Sequence, residues 1–97
     1  MEFDWDEAKR QENLRRRQVD FAIAAQIFKG PVVAREDARR DYGERRFRAV
    51  GKFEGQTYVV AYTLRNEICH IITAWKVGKA GERRYQAVLA RRAEPDA

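Results

Sequence analysis

Two apolar runs, TYVVAYTL (57–64) and EICHIITAWK (67–76), restrict the folds open to this chain more than any other part of it. Both are rich in β-branched and aromatic residues, which suits strands inside a sheet. TYVVAYTL reads as a well-buried central strand. Only the RNE turn (65–67), whose Glu67 also opens the second run, links the two, and so short a link predicts antiparallel neighbours rather than a crossover. The second run holds the chain's one histidine, His70. Strict alternation along it groups His70 with Ile68, Ile72, Ala74 and Lys76, and sets Cys69, Ile71, Thr73, Trp75 and Val77 on the other side. Both groups are apolar near the middle, as in a strand covered on both faces.

The remaining segments supply partners for this hairpin. PVVARED reads as a first strand, ARRDYG as a polar turn, and ERRFRAVG as a strand with Arg46, Arg48 and Val50 on one face. FEGQ then makes a tight turn. Upstream, Asp4 or Asp6 can cap a highly charged helix ending near Arg17. Asp20 caps a second helix, with Val19 and Ala24 placed to form a hydrophobic staple. Phe21, Ala24, Ala25 and Phe28 give that helix one apolar stripe, and Gly30-Pro31 ends it. A last helix follows GKAGE, with Tyr85, Val88 and Leu89 on its apolar side and arginines around the rest. The predicted order is helix, helix, four strands, helix: an α+β domain with helices on an antiparallel sheet. The 97 residues suit a single domain over 1–97, with 94–97 fraying.

Composition narrows the function. The formal charge is +5, carried mostly by arginine, whose planar fork suits phosphate and carboxylate groups. That excess points to nucleic acid or to an acidic protein. No apolar run is long enough to span a bilayer, and MEFDWDEAKR has no signal-peptide core, so neither membrane insertion nor secretion is expected. A lone cysteine forms no internal disulfide and, with one histidine, no zinc site. Cys69 is expected to be a small core residue in a reducing cytoplasm. No cofactor is implied, and no GxGxxG, HExxH, Walker or Ser-His-Asp pattern occurs.

The residues able to do chemistry are few. Arg39, Arg40 and Arg45 read as members of a solvated turn held by local ion pairs. Arg46 stands on a strand, which positions a guanidinium better than a loop does. Arg65 occupies the turn of the apolar hairpin. His70 admits two readings: a buried neutral imidazole with one hydrogen-bond partner, or a proton carrier facing a basic groove. Lys76, on the same side under strict alternation, would then grip a phosphate. Trp75, Tyr58, Tyr62 and Tyr85 could stack on unpaired bases or belong to the core.

Taken in order, these pieces resemble a known family. FDWDEAKRQENL supplies Phe3, Trp5, Asp6, Lys9 and Asn13, and VDFAIAAQIF matches a second helix. Glu36, Asp37, Arg39, Asp41, Tyr42, Gly43, Glu44 and Arg46 follow, then VVAYT, HIITAWK, Glu82 and Tyr85. The series is similar to the BrnT (DUF497) toxins of type II toxin–antitoxin modules and covers about residues 3 to 85. The resemblance implies a RelE-like fold of two helices, a four-stranded antiparallel sheet and a C-terminal helix. It implies metal-independent RNA cleavage that arrests translation. It also implies a BrnA-like antitoxin that covers the basic surface and alone carries the operator-DNA contacts. Two places depart from the pattern: Arg16-Arg17-Gln18 replaces Lys-His-Gly, and Trp75 stands where many members carry arginine. The expected catalytic set is Arg46, Arg65, His70 and Lys76, with Lys9, Arg48, Trp75 and Tyr85 binding RNA. The competing expectation is a basic module that binds RNA or an acidic protein without cutting anything.

Overall fold

The computed structural model describes residues 1–94; the last three positions of the expected fraying tail lie outside the described residues. The chain begins with a strand, β1 (Glu2–Trp5), followed by helix α1 (Glu7–Arg17). A short helix α2 (Phe21–Ala24) tightens into a 3-10 turn (Ala25–Lys29). Four strands follow: β2 (Val33–Glu36), β3 (Phe47–Phe53), β4 (Gln56–Arg65) and β5 (Ile68–Lys76). Helix α3 (Lys79–Ala93) closes the chain.

The α+β class and the antiparallel β2-β3-β4-β5 meander agree with expectation. The four-stranded, wholly antiparallel sheet does not. The sheet has five strands in the order β1-β5-β4-β3-β2, and β1 runs parallel to β5. Residues 2–5 alternate polar and apolar, and Phe3 and Trp5 point into the core. Strand pairing therefore claims residues that would otherwise have joined the helix. Asp6 is the cap of α1, its carboxylate accepting from Lys9 N at 3.0 Å. Asp20 caps α2 through Ala22 N, and its carboxylate also takes a forked pair of hydrogen bonds from Arg10, both at 2.9 Å.

One sheet face is dry. Val19, Phe21, Ala24, Ala25 and Ile27 from the helical hairpin pack on Ala49, Tyr58, Val60, Tyr62, Cys69, Ile71 and Ala74. Full burial of the larger side chains, such as Phe21, Ile27, Val60 and Ile71, contributes roughly 1.5–3 kcal/mol each, which makes this layer the main support of the fold. Gly51 belongs to it because a Cβ there would stand 2.8 Å from the Ile27 Cβ. The one buried side chain of α1 is polar. Asn13 donates to the Val19 and Ala74 carbonyls at 3.0 and 2.9 Å and accepts from the Thr73 hydroxyl, tying the helix to β5. Leu14, on the same helix, is 38 % exposed.

A bulge in β5 sets the phase of everything downstream of it. Tyr62 pairs with Ile71 and Ala61 with Thr73, leaving Ile72 unmatched. One extra residue reverses the alternation. Ala74 and Lys76 thereby move to the dry-face side, and Thr73 and Trp75 join His70.

Candidate functional site

The opposite face carries the charged groups. Thr63 pairs with His70 and Ala61 with Thr73 on β4 and β5, while Arg48 pairs with Ala61 and Arg35 with Arg48 on β3 and β2. Continuing the β3 register sets Arg46 opposite Thr63, whose hydroxyl donates to the Arg45 carbonyl at 2.6 Å. Asp4 is the β1 partner of His70. A single cross-sheet row thus runs Asp4, His70, Thr63, Arg46. Neighbouring strands are roughly 4.8 Å apart, so the row reaches from the sheet edge to the arginines within a few side-chain lengths.

Within that row, the Asp4 carboxylate lies 2.7 Å from His70 Nδ1. His70 keeps 18 % of its side chain exposed and Asp4 keeps 55 %. When Nδ1 donates to a carboxylate, the neutral imidazole holds its lone pair on Nε2, the tautomer of a proton acceptor. The histidine is therefore neither a sealed core group nor a free surface one. Sequence reading offered Asp4 only as a helix cap and missed its pairing with His70, which lies 66 positions away. The available signal was the Glu2-Phe3-Asp4-Trp5 alternation.

Arg46 and Arg65 converge on one carboxylate. Glu44 is 3.2 Å from Arg65 and 3.7 Å from Arg46. The Arg46 guanidinium also lies 4.3 Å from the centre of the Tyr42 ring, and its buried Nε, the atom nearest Glu44, makes no hydrogen bond. Asp37 organises the loop behind them. Its carboxyl is held well below the usual range by the Arg39 fork, with Arg48 adding to the effect. Arg39 and Arg45 are spent on Asp37 and Glu36, as expected of a turn held by local pairs.

The remaining candidates divide. Lys9, Arg16 and Arg17 surround a small notch with Glu12, Asn13 and Thr73, beside the His70 row. Trp75 borders the same region, with the Arg17 guanidinium 5.3 Å from its ring centre. Arg48 lines a larger groove between the sheet and α3. Lys76 pairs with Tyr58, a dry-face residue, so the bulge separates it from His70 and corrects the expected shared face. Tyr85 is 4 % exposed and donates its hydroxyl to the Pro31 carbonyl at 2.6 Å, which corrects the expectation of a stacking platform. Tyr58 and Tyr62 are likewise in the core. Cys69 is buried on the dry face, and burial, helped by Asp4, pushes its thiol up to about 12. That is an inert core thiol.

Among the described residues, no three His, Cys, Asp or Glu side chains converge to hold a metal ion, and no helix is long and apolar enough to cross a membrane. A basic, histidine-bearing sheet face on a small α+β domain fits the ribonuclease toxins of type II toxin–antitoxin systems. The family described as "Ribonuclease toxin, BrnT, of type II toxin-antitoxin system" matches residues 5–82. The chain belongs to this BrnT family. Comparison with curated proteins gives no match.

Proposed function

We propose that this toxin is a metal-independent endoribonuclease that arrests translation, with His70 as its proton carrier and Arg46 and Arg65 as its phosphate grip. The observation carrying this reading is the Asp4–His70 contact on the same sheet face as the Arg46–Glu44–Arg65 cluster. In metal-free cleavage the substrate's own 2′-hydroxyl is the nucleophile. His70 Nε2 accepts that proton while Asp4 holds the ring and balances the imidazolium. The 2′-oxygen–phosphorus bond forms and the 5′-oxygen–phosphorus bond breaks. The products are a 2′,3′-cyclic phosphate and a 5′-hydroxyl, which recovers a proton from the imidazolium or from water. Arg46 and Arg65 offset the charge that builds on the phosphoryl oxygens, the substrate phosphate competing with Glu44 for them.

Lys9 and Arg48, on either side of the row, guide the RNA backbone, and Trp75 offers a stacking surface once Arg17 swings aside. Lys76 takes no part. The BrnA-like antitoxin supplies the neutralising partner, and operator DNA is reached only through it.

The test is incubation of purified protein with RNA in excess EDTA. Fragments ending in 2′,3′-cyclic phosphate are expected, with His70→Ala and Arg46→Ala prepared in parallel and each slower by on the order of 100-fold. RNA binding without fragments would replace the enzyme with a basic binding module.

A further inference from the structure

Beside the His70 row lies a groove of about 470 Å³ between the basic sheet face and α3. Its walls are aliphatic: Val33, Val50, Val59, Val77 and Val88. Tyr85 also lines it, but this ring is 4 % exposed and its hydroxyl is already bound to the Pro31 carbonyl. The rim is basic. Arg48 and Arg39 are shared with Asp37, whereas Arg35 and Arg84 form no ion pair among the described residues. The floor thus asks for branched apolar side chains, and the rim asks for carboxylates.

We propose that this groove is the docking site of the antitoxin, and that its occupant is an acidic amphipathic segment with aliphatic anchors. Charge complementarity selects that occupant: two unpaired arginines stand over an apolar floor on a chain of net charge +5. RNA fits less well. Unpaired bases are held by stacking on aromatic faces, and no free aromatic face lines the groove. An apolar side chain entering between Val50, Val59 and Val88 gains burial that a phosphate backbone cannot.

The placement also explains how such a partner would silence the enzyme. Arg48 lines the groove and alternates with Arg46 on one face at the β3 end of the sheet. A segment seated in the groove takes Arg48 from the RNA path and lays carboxylates beside the phosphate grip. This part rests on the ribonuclease reading; the docking itself does not.

The experiment titrates the full chain with the antitoxin of its own module, alongside a fluorescent single-stranded oligouridine. The Arg35→Glu/Arg84→Glu double variant alters only the rim, and Val88→Asp alters the floor. Circular dichroism identifies any variant that fails to fold, and the rim variant keeps the test alive if Val88→Asp does. Antitoxin affinity should fall on the order of tenfold or more in the rim variant, while the cleavage rate of free toxin stays within about twofold. Unchanged antitoxin affinity would overturn the proposal. So would a loss confined to oligouridine binding, which would give the groove to RNA, or no antitoxin binding by the unaltered chain. Failure of that chain to cleave RNA would instead remove the ribonuclease reading and leave the docking result standing.

Discussion

The two faces of the sheet are made by the same strands, yet they obey different rules. On the helix-covered face, the buried sheet residues Ala49, Tyr58, Val60, Tyr62, Cys69, Ile71 and Ala74 form one packed layer, and volume decides what fits. On the other face, α3 covers only part of the surface, and Arg46, Arg48, Arg65 and His70 stand where packing does not restrict them. Each of them is held by a nearby carboxylate: Glu44, Asp37 or Asp4. One face therefore supplies stability and the proposed chemistry stands on the other, so substitutions on the two should separate cleanly.

The largest separation is expected from Phe21→Ala, which empties the middle of the dry face. It should cost about 3–5 kcal/mol in urea unfolding and leave cleavage at low temperature within a few-fold of normal. His70→Ala should do the reverse. A rate loss on the order of 100-fold should accompany a stability loss of about 1 kcal/mol, well short of that of Phe21→Ala. If both variants lose stability alike, the histidine is a core residue and the division between the faces fails.

Asn13→Ala probes the boundary between them. It strips the Val19 and Ala74 carbonyls of a buried donor and frees the Thr73 hydroxyl, at an expected cost of about 1–3 kcal/mol. Gly51→Ala pushes a methyl group toward Ile27 and should also cost about 1–3 kcal/mol, read as a lowered urea midpoint. The smallest effect concerns acid stability. The Arg10 fork lowers the Asp20 carboxyl pKa. The pair therefore stabilises the fold at neutral pH, and its contribution disappears as pH falls below the ordinary carboxylate range toward the lowered value. The urea-midpoint gap between the natural chain and Arg10→Met should be widest near neutrality and close as the medium is acidified.

The dry face could be read from sequence far better than the basic one. The Phe21, Ala24, Ala25, Phe28 stripe, the Asp20 cap and the two apolar strands are local patterns, visible within a few residues of one another. Alternation also put Arg46 and Arg48 on one face correctly. It failed past Ile72, because a bulge is a property of two paired strands and leaves no mark on either one alone. Lys76 and Trp75 exchanged sides for that reason. Asp4 was offered only as a helix cap, a role that falls to Asp6, because four residues in front of a charged helix look like its leader, and only the parallel partner shows them to be an edge strand. Tyr85 was misjudged through composition: an aromatic among arginines can serve RNA, but this one anchors α3 to the Pro31 carbonyl.

The parallel alliance of β1 with β5 has a consequence for when the toxin becomes dangerous. The contact between Asp4 and His70 spans 66 positions, so it cannot form before β5 has been made. A nascent chain still on the ribosome, or one cut short before residue 70, carries the arginines without the carboxylate-poised imidazole. On the proposed mechanism, ribonuclease competence is thus deferred until β5 has been made and has paired with β1.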